Sequence, residues 1–168
     1  MNGVDRMDIK IEHVTPADLE AVVRIEQHGF TPEEAGTPAA YRERIKKLTD
    51  TFLVAKVGGK VVGFIVGPAV EAQYVTDDMY VHTPDNLPIG GNQLVLSIAT
   101  APAYRGHGIG SKLLTALAKE AKAAGRQSVS LDSLAKNVPF YEHNGYHKTR
   151  VSDSSHADET WYSLVKKL

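Results

Sequence analysis

The chain of 168 residues contains no cysteine. That excludes disulfide bonds, zinc–thiolate sites and a cysteine nucleophile together. An excess of charge of either sign is also lacking. With 19 basic and 20 acidic residues and a formal net charge of -1, no global field draws the protein to nucleic acid or an anionic membrane. Long apolar runs are missing too. The longest, "VVGFIVGPAV" (Val61 to Val70), is far short of the ~20 residues that span a bilayer. The opening "MNGVDRMDIKIEHV" carries Asp5, Arg6, Asp8 and Lys10 without an apolar stretch of signal-peptide length. A cytoplasmic location is the expectation.

The composition present is 42% apolar and 23% charged, as in soluble globular chains. The length favours one domain, 1–168, around a single core. "DIKIEHV" alternates Ile9 and Ile11 with Lys10 and Glu12, a strand pattern. Thr15 as N-cap, Pro16 and Asp18 then announce a helix. Its apolar positions Leu19, Val22 and Val23 lead at i+7 to Glu26, so an acid falls near the core-facing stripe. "TPEE" (Thr31 to Glu34) and "TPAAYRERIKKL" (Thr37 to Leu48) repeat the Thr-Pro helix start, the second with Tyr41, Ile45 and Leu48 on one face. "TFLVAKV" and "KVVGFIVG" flank Gly58-Gly59 as a hairpin.

Residues 71–90 hold four acids, two tyrosines and no lysine or arginine, and read as an irregular segment, either one that recruits a positively charged amine or a solvated loop. "QLVLSIAT" (Gln93 to Thr100) reads as a continuous strand covered on both faces. Leu113, Leu114, Leu117, Ala118 and Ala121 form a helical stripe stopped by Gly125. A strand, "QSVSLDS", a short helix, "VPFYEHNG", and two late strands, "YHKTRV" and "TWYSLVKK", complete an α/β order with a mixed sheet.

The stretch "YRGHGIGSKLL" (Tyr104 to Leu114) puts three glycines at a helix entrance. Glycines let the backbone approach a ligand, and the first amides of a helix are unpaired and lie at the positive end of its dipole. An anion, a phosphate above all, suits such an entrance. The dinucleotide fingerprint fails, because the third glycine would fall at Ser111; a P-loop fails, because Lys112 is one place late and Leu113 follows it. The segment remains open between a phosphate cradle and a plain strand-to-helix turn.

"LSIATAPAYRGHGIGSKLLTALAKEAKAAG", followed by "VPFYEHNGY", resembles the GNAT family of N-acetyltransferases. Arg105, Gly108 and Gly110 match its [RQ]-x-x-G-x-[GA] motif, and Phe140-Tyr141-Glu142 with Gly145-Tyr146 match its later one. The resemblance implies an α+β sandwich with a mixed, mostly antiparallel central sheet flanked by helices on both faces. It also implies acetyl-CoA as cosubstrate and a direct transfer of acetyl to a small primary amine. It assigns the pyrophosphate of the cofactor to Arg105, Gly106, His107, Gly108, Ile109, Gly110 and Ser111. The pantetheine arm would pair with the strand of Ile98, Ala99 and Thr100. Tyr141 would contact the sulfur and protonate the departing thiolate. A homodimer is a family expectation.

The chain also resembles the arylalkylamine branch of the family in "VPFYE", but "LVLSIA" lacks the two histidines that branch carries on its strand. Other roles come from the residues. A carboxylate near an apolar helix face, Glu26, could bind a cationic amine or help remove its proton through water; equally it could sit at the stripe's edge and reach solvent. Phe30 and Tyr41, on the same early helices, are candidates to wall the acceptor pocket. His143 and His156 read as surface residues, and Trp161 as a core or edge residue. No histidine–carboxylate spacing suggests a metal. A non-catalytic CoA-binding or sensor domain and the acetylation of a protein or peptide amine remain the rival readings.

Overall fold

A computed structural model describes residues 7–168; Asp5 and Arg6 lie outside the described residues. The first strand, β1 (Ile9–His13), leads through Thr15 into a single 3-10 turn and then α1 (Leu19–Gly29). Thr15 and Asp18 form the expected capping box, with the Thr15 amide donating to the Asp18 carboxylate at 2.9 Å. The two Thr-Pro starts end differently. Thr37 accepts from the Ala40 amide at 3.1 Å and opens α2 (Pro38–Lys47), whereas Thr31–Glu34 is only a turn. The latter segment is halted within six residues at Gly36, too short for a helix to offset the cost of its nucleus.

The hairpin β2 (Phe52–Val57) and β3 (Lys60–Val66) turns on Gly58 and Gly59, both at positive φ (58° and 80°). Next come β4 (Ala69–Val70), an irregular stretch with the single turn α3 (Asp78–Val81), then β5 (Asn92–Val95) and β6 (Ser97–Thr100). The long helix α4 (Ile109–Ala123), β7 (Ser128–Ser133), α5 (Val138–His143), β8 (His147–Val151) and β9 (Tyr162–Lys167) follow.

Hydrogen bonding arranges these strands as β1-β2-β3-β6 and β4-β5-β7-β9-β8, antiparallel throughout except for the β5/β7 pair. Helices cover both faces of the first set. Leu53, Ala55, Val62 and Ile65 pack against Leu113, Leu114 and Leu117 of α4, while Val54, Phe64 and Val66 pack against Val22 and Ile25 of α1 and Tyr41 and Ile45 of α2.

One expectation is overturned. "QLVLSIAT" is not one strand but two, joined at Leu96 and belonging to different sheets. Val95 is still paired with Leu131 of β7; at Leu96 the amide turns to the Val66 carbonyl at 2.8 Å, and Ser97 pairs with Val66 of β3. The backbone thus changes partner while its side chains stay apolar, which hydropathy does not register. Beyond Leu96, β6 and β7 diverge, and among the described residues the β6 edge that faces β7 has no strand partner.

Gly67 makes this crossing possible. A Cβ there would fall 1.9 Å from the Leu94 carbonyl oxygen, so any side chain would force β3 and β5 apart. Gly67→Ala is expected to lower stability by about 3 kcal/mol, the upper range for overpacking, read as a shifted urea midpoint. Gly59→Ala, with no atom within 4 Å of its Cβ, should cost only the positive-φ penalty of about 1–2 kcal/mol.

Candidate active site

The divergence of β6 from β7 opens a cleft of about 560 Å³. Its two sides differ because side chains alternate along β7. Val129 and Leu131 point to the α4 and α5 side, in one cluster with Tyr141 and Tyr146. Asp132 therefore points to the opposite side, toward α1 and the irregular 71–90 segment. Along the partner strand, Ile98 packs on the α4 side and Ala99 on the α1 side.

On the α4 side, the loop before the helix holds Gly106 and Gly108 at φ 82° and 79°, a region that favours glycine. Gly108 is the N-cap and offers no side-chain cap. Lys112 is the first amide to bond back, to the Gly108 carbonyl at 3.0 Å, so the helix leaves the Ile109, Gly110 and Ser111 amides without an intrahelical acceptor. Arg105 and Gly106 are exposed, His107 and Ser111 half-buried, and the Arg105 Nε donates to the Thr100 carbonyl at 3.3 Å. The loop thus sits at the far end of β6 from the cleft, with Ile98, Ala99 and Thr100 leading from one to the other. Phe140 lies over the entrance: a Cβ on Gly110 would fall 3.1 Å from its ring. The neighbouring Tyr141 lines the cleft at 8% exposure. Burial raises its phenol above the ordinary value, so it stays protonated near neutrality. Its hydroxyl has no hydrogen-bond partner among the described residues.

On the α1 side, Glu26 lines the cleft but is only 3% exposed. Both carboxylate oxygens are occupied: Oε2 accepts from the Gly36 amide at 2.7 Å and Oε1 from the Ser97 hydroxyl at 2.7 Å. Glu26 neither reaches solvent nor presents a free oxygen to a ligand; what it presents is Ser97, at the start of β6. Phe30 is half-buried in the cleft wall. Tyr41 stands behind that wall, fully buried, its ring edge-on to Phe64 at 5.5 Å. Burial, and then the charge of Glu26, hold its phenol well above the ordinary value.

Arg44, His156 and Trp161 gave no signal in the sequence as cleft residues, whereas Asp77 and Tyr80 fall in the acidic, aromatic 71–90 segment. Arg44, within "RERIKK", is 1% exposed; its guanidinium lies 4.7 Å from the Tyr41 ring centroid and donates to the Tyr80 carbonyl at 3.2 Å. It shares the space beside Gly36 with Glu26: a Cβ there would fall 3.1 Å from Arg44 Nη1 and 3.2 Å from Glu26 Oε2. The 71–90 segment supplies Tyr80 and Asp77 to the cleft. His156 is not a free surface residue. Its ring stacks on Tyr80 at 5.3 Å, its Nε2 lies 3.1 Å from the Glu34 carbonyl oxygen, and Trp161 Nε1 donates to its carbonyl at 2.9 Å. Both His156 and Trp161 line the cleft. His143 and His28 are exposed and do not. Among the described residues no three His, Asp or Glu side chains are grouped as a metal site would need.

A gap between strands thus has an anion-ready helix entrance on one side and a buried carboxylate and hydroxyl on the other. The model of the acetyltransferase (GNAT) family matches residues 19–146. The chain belongs to this family. Over 109 residues it is 34% identical to the tRNA(Met) cytidine acetyltransferase TmcA of Haloarcula marismortui, a match covering 64% of this chain but only 13% of that protein's length. The fold is similar to that of Ard1 from Thermoplasma volcanium, with 25% identity, a TM-score of 0.75, and 95% of this chain and 97% of the other covered. It is also similar to the GNAT-like decarboxylase GphF in complex with isobutyryl-CoA, with 17% identity, a TM-score of 0.80, and 94% and 98% covered. That last likeness concerns the fold alone.

The Glu26 contacts generate a stability test. Glu26→Ala removes the acceptor of two donors and is expected to cost about 2–3 kcal/mol. Glu26→Gln, which can still accept from the Gly36 amide while the Ser97 hydroxyl rotates to accept from the new amide, is expected to cost about 1 kcal/mol. Chemical denaturation of the two variants checks the difference.

Proposed function

We propose that residues 1–168 act as one N-acetyltransferase domain that moves acetyl directly from acetyl-CoA to a small primary amine. The observation that carries this reading is the two-sided cleft, with a phenol on one side of the strand gap and a carboxylate–hydroxyl pair on the other. The pyrophosphate would rest on the amides of the Arg105–Ser111 loop, and the pantetheine arm would lie along the free edge of β6. The thioester would then reach the parting of β6 and β7, where the amine nitrogen attacks the carbonyl carbon from the α1 side. As the C–N bond forms and the C–S bond breaks, the electron pair leaves with sulfur. Tyr141 donates its proton to the developing thiolate, and backbone amides of β6 stabilise the carbonyl oxygen.

The amine's own proton leaves through water or the Ser97 hydroxyl toward Glu26. Since Glu26 keeps only 3% of its surface exposed, it acts through Ser97 and is a positioning residue; Phe30 bounds the acceptor, and Tyr41 braces Glu26 from behind. The likeness of "VPFYE" to the arylalkylamine branch supports a small amine over a peptide, while the missing histidine pair leaves proton removal to the Glu26–Ser97 pair. The acids of the cleft, Asp132 and Asp77 among them, oppose an RNA acceptor.

A CoA-release assay over amines, amino acids and peptides, with the product identified by mass, tests the reading. Acetyl-CoA binding without acceptor-dependent release would leave only a sensor role. Tyr141→Phe is expected to lower kcat by about 100-fold, the lower range for a general acid, with CoA affinity changed by less than about threefold; unchanged turnover removes Tyr141 from the acid role. Gly108→Trp, placing an indole where the pyrophosphate would approach, is expected to abolish CoA binding, as measured by calorimetry.

A further inference from the structure

A second cavity, of about 260 Å³, lies beside the C-terminal half of α4 and shares no lining residue with the cleft. The helix sequence creates it. Leu113, Leu114 and Leu117 fill the space against the sheet, whereas Ala121 and Ala124 further along carry one methyl group each. The room they leave against Leu87 is the cavity.

Into this cavity Arg126 brings a guanidinium that the fold does not satisfy. The residue is only 8% exposed. A guanidinium has five donor protons, yet Nη1 donates to the Gly90 carbonyl at 2.9 Å and that is its one acceptor among the described residues. The buried Nε has none. Arg126 belongs to none of the ion pairs, and lies over none of the aromatic rings, found among the described residues. Arg44, the other deeply buried arginine, has at least the Tyr41 ring beside it. Burial pushes the Arg126 guanidinium below its ordinary value, and no neighbouring charge opposes that shift. Arginine is rarely buried without a counter-ion, and its planar fork matches a carboxylate through two parallel hydrogen bonds.

Acids also bound the cavity, and they restrict which anion fits. Glu120 meets His13 Nε2 through Oε1 at 2.9 Å, while its Oε2 is buried without a donor. Asp50, exposed on the 3-10 turn before β2, stands on the same wall. The wall thus holds unmatched donors on Arg126 and an unmatched acceptor on Glu120, together with the apolar side chains of Leu87 and Leu117. A phosphate would satisfy the guanidinium but bring two or more like charges against the acids. A ligand bearing one carboxylate and one ammonium satisfies both.

We propose that this cavity binds a small zwitterion of the α-amino-acid class. Its carboxylate lies on the Arg126 guanidinium, its ammonium turns toward Glu120 and Asp50, and an apolar side chain packs against Leu87 and Leu117. The site is separate from the acetyl-transfer cleft and does not rest on the reading given for that cleft. Its occupant would be sensed by nearby backbone. The Gly90 amide donates to the Ala124 carbonyl at 2.9 Å and the Gln127 amide to the Gly91 carbonyl at 2.7 Å, on either side of the Gly90 carbonyl that Arg126 holds.

Nitrogen-15 NMR titration with three probes tests the proposal: L-leucine carries both charges, 4-methylpentanoate only the carboxylate, and 3-methylbutylamine only the ammonium. L-leucine should shift the amides of Gly90, Gly91 and Gln127 saturably. 4-Methylpentanoate should bind about tenfold more weakly, and 3-methylbutylamine should leave these amides unmoved. Arg126→Gln should weaken L-leucine by about tenfold or more, the scale of one charged hydrogen bond, and Arg126→Lys should recover part of the loss. Glutamine can still donate to the Gly90 carbonyl, so Arg126→Gln should melt within about 4 °C of the wild type. The comparison of probes on the wild type stands without either variant. No saturable shift at these amides overturns the proposal, as do shifts confined to Ser97 and the cleft. Equal binding of 3-methylbutylamine, binding of inorganic phosphate in place of L-leucine, or unchanged affinity in a folded Arg126→Gln overturns it equally.

Discussion

The hydrogen bond from the Leu96 amide to the Val66 carbonyl, 2.8 Å, is the point on which the rest of the molecule turns. One residue earlier the strand belongs to β7; one residue later it belongs to β3. A sheet that kept its pairing here would have no gap, no free β6 edge and no through-passage from the α4 side to the α1 side. Backbone amides cannot be left buried and unpaired without cost. The parting therefore persists because Val66 supplies an acceptor and because Gly67, which has no side chain, lets the two strands approach closely enough to exchange it.

Around that parting the two faces of the protein take on separate chemistry. Glycines at positive φ and a helix start without a side-chain cap give one face its unpaired amides. The other face is built from side chains on four distant segments: Glu26 from α1, Arg44 from α2, Tyr80 from the irregular segment and Asp132 from β7. His156 ties two of the surrounding loops together by stacking on Tyr80 and lying against the Glu34 carbonyl. Glu26 is the member that joins this face to the gap itself, since its hydrogen bond from Ser97 reaches the first residue of β6.

Much of the fold was legible in the residues. The Thr15–Asp18 capping box, the Gly58-Gly59 hairpin, the leucine stripe of α4 and its stop at Gly125 all carry local signals that packing reinforces. What escaped was what depends on partners distant in the chain. "QLVLSIAT" stays apolar through its change of sheet, so the split at Leu96 left no mark in its hydropathy. "TPEE" has the opening of a helix without the length for one. Arg44 sits among other cations in "RERIKK" and looks solvated until Tyr41, Gly36 and Tyr80 close around it. Asp132 occupies the outward position of an ordinary alternating strand, and only the opening beside β7 turns that position into a cleft wall. His156 and Trp161 lie in or next to a polar connection that reads as surface. Glu26 was visible because it broke a helical stripe, a conflict between local pattern and burial that calls for compensating partners; here these are Ser97 and Gly36.

The separation of the two faces also bears on how such a protein can change over evolutionary time. The glycine loop and β6 depend on backbone conformation, which tolerates few substitutions at Gly106 and Gly108. The opposite wall also takes in side chains from the 71–90 and 152–161 segments, whose length and sequence are not fixed by the sheet. Mutations in residues 71–90 and 152–161 can therefore reshape what enters from the α1 side without disturbing the α4 side. One inherited donor architecture can in this way serve lineages with unrelated acceptors, each exploring new chemistry from an unchanged starting point.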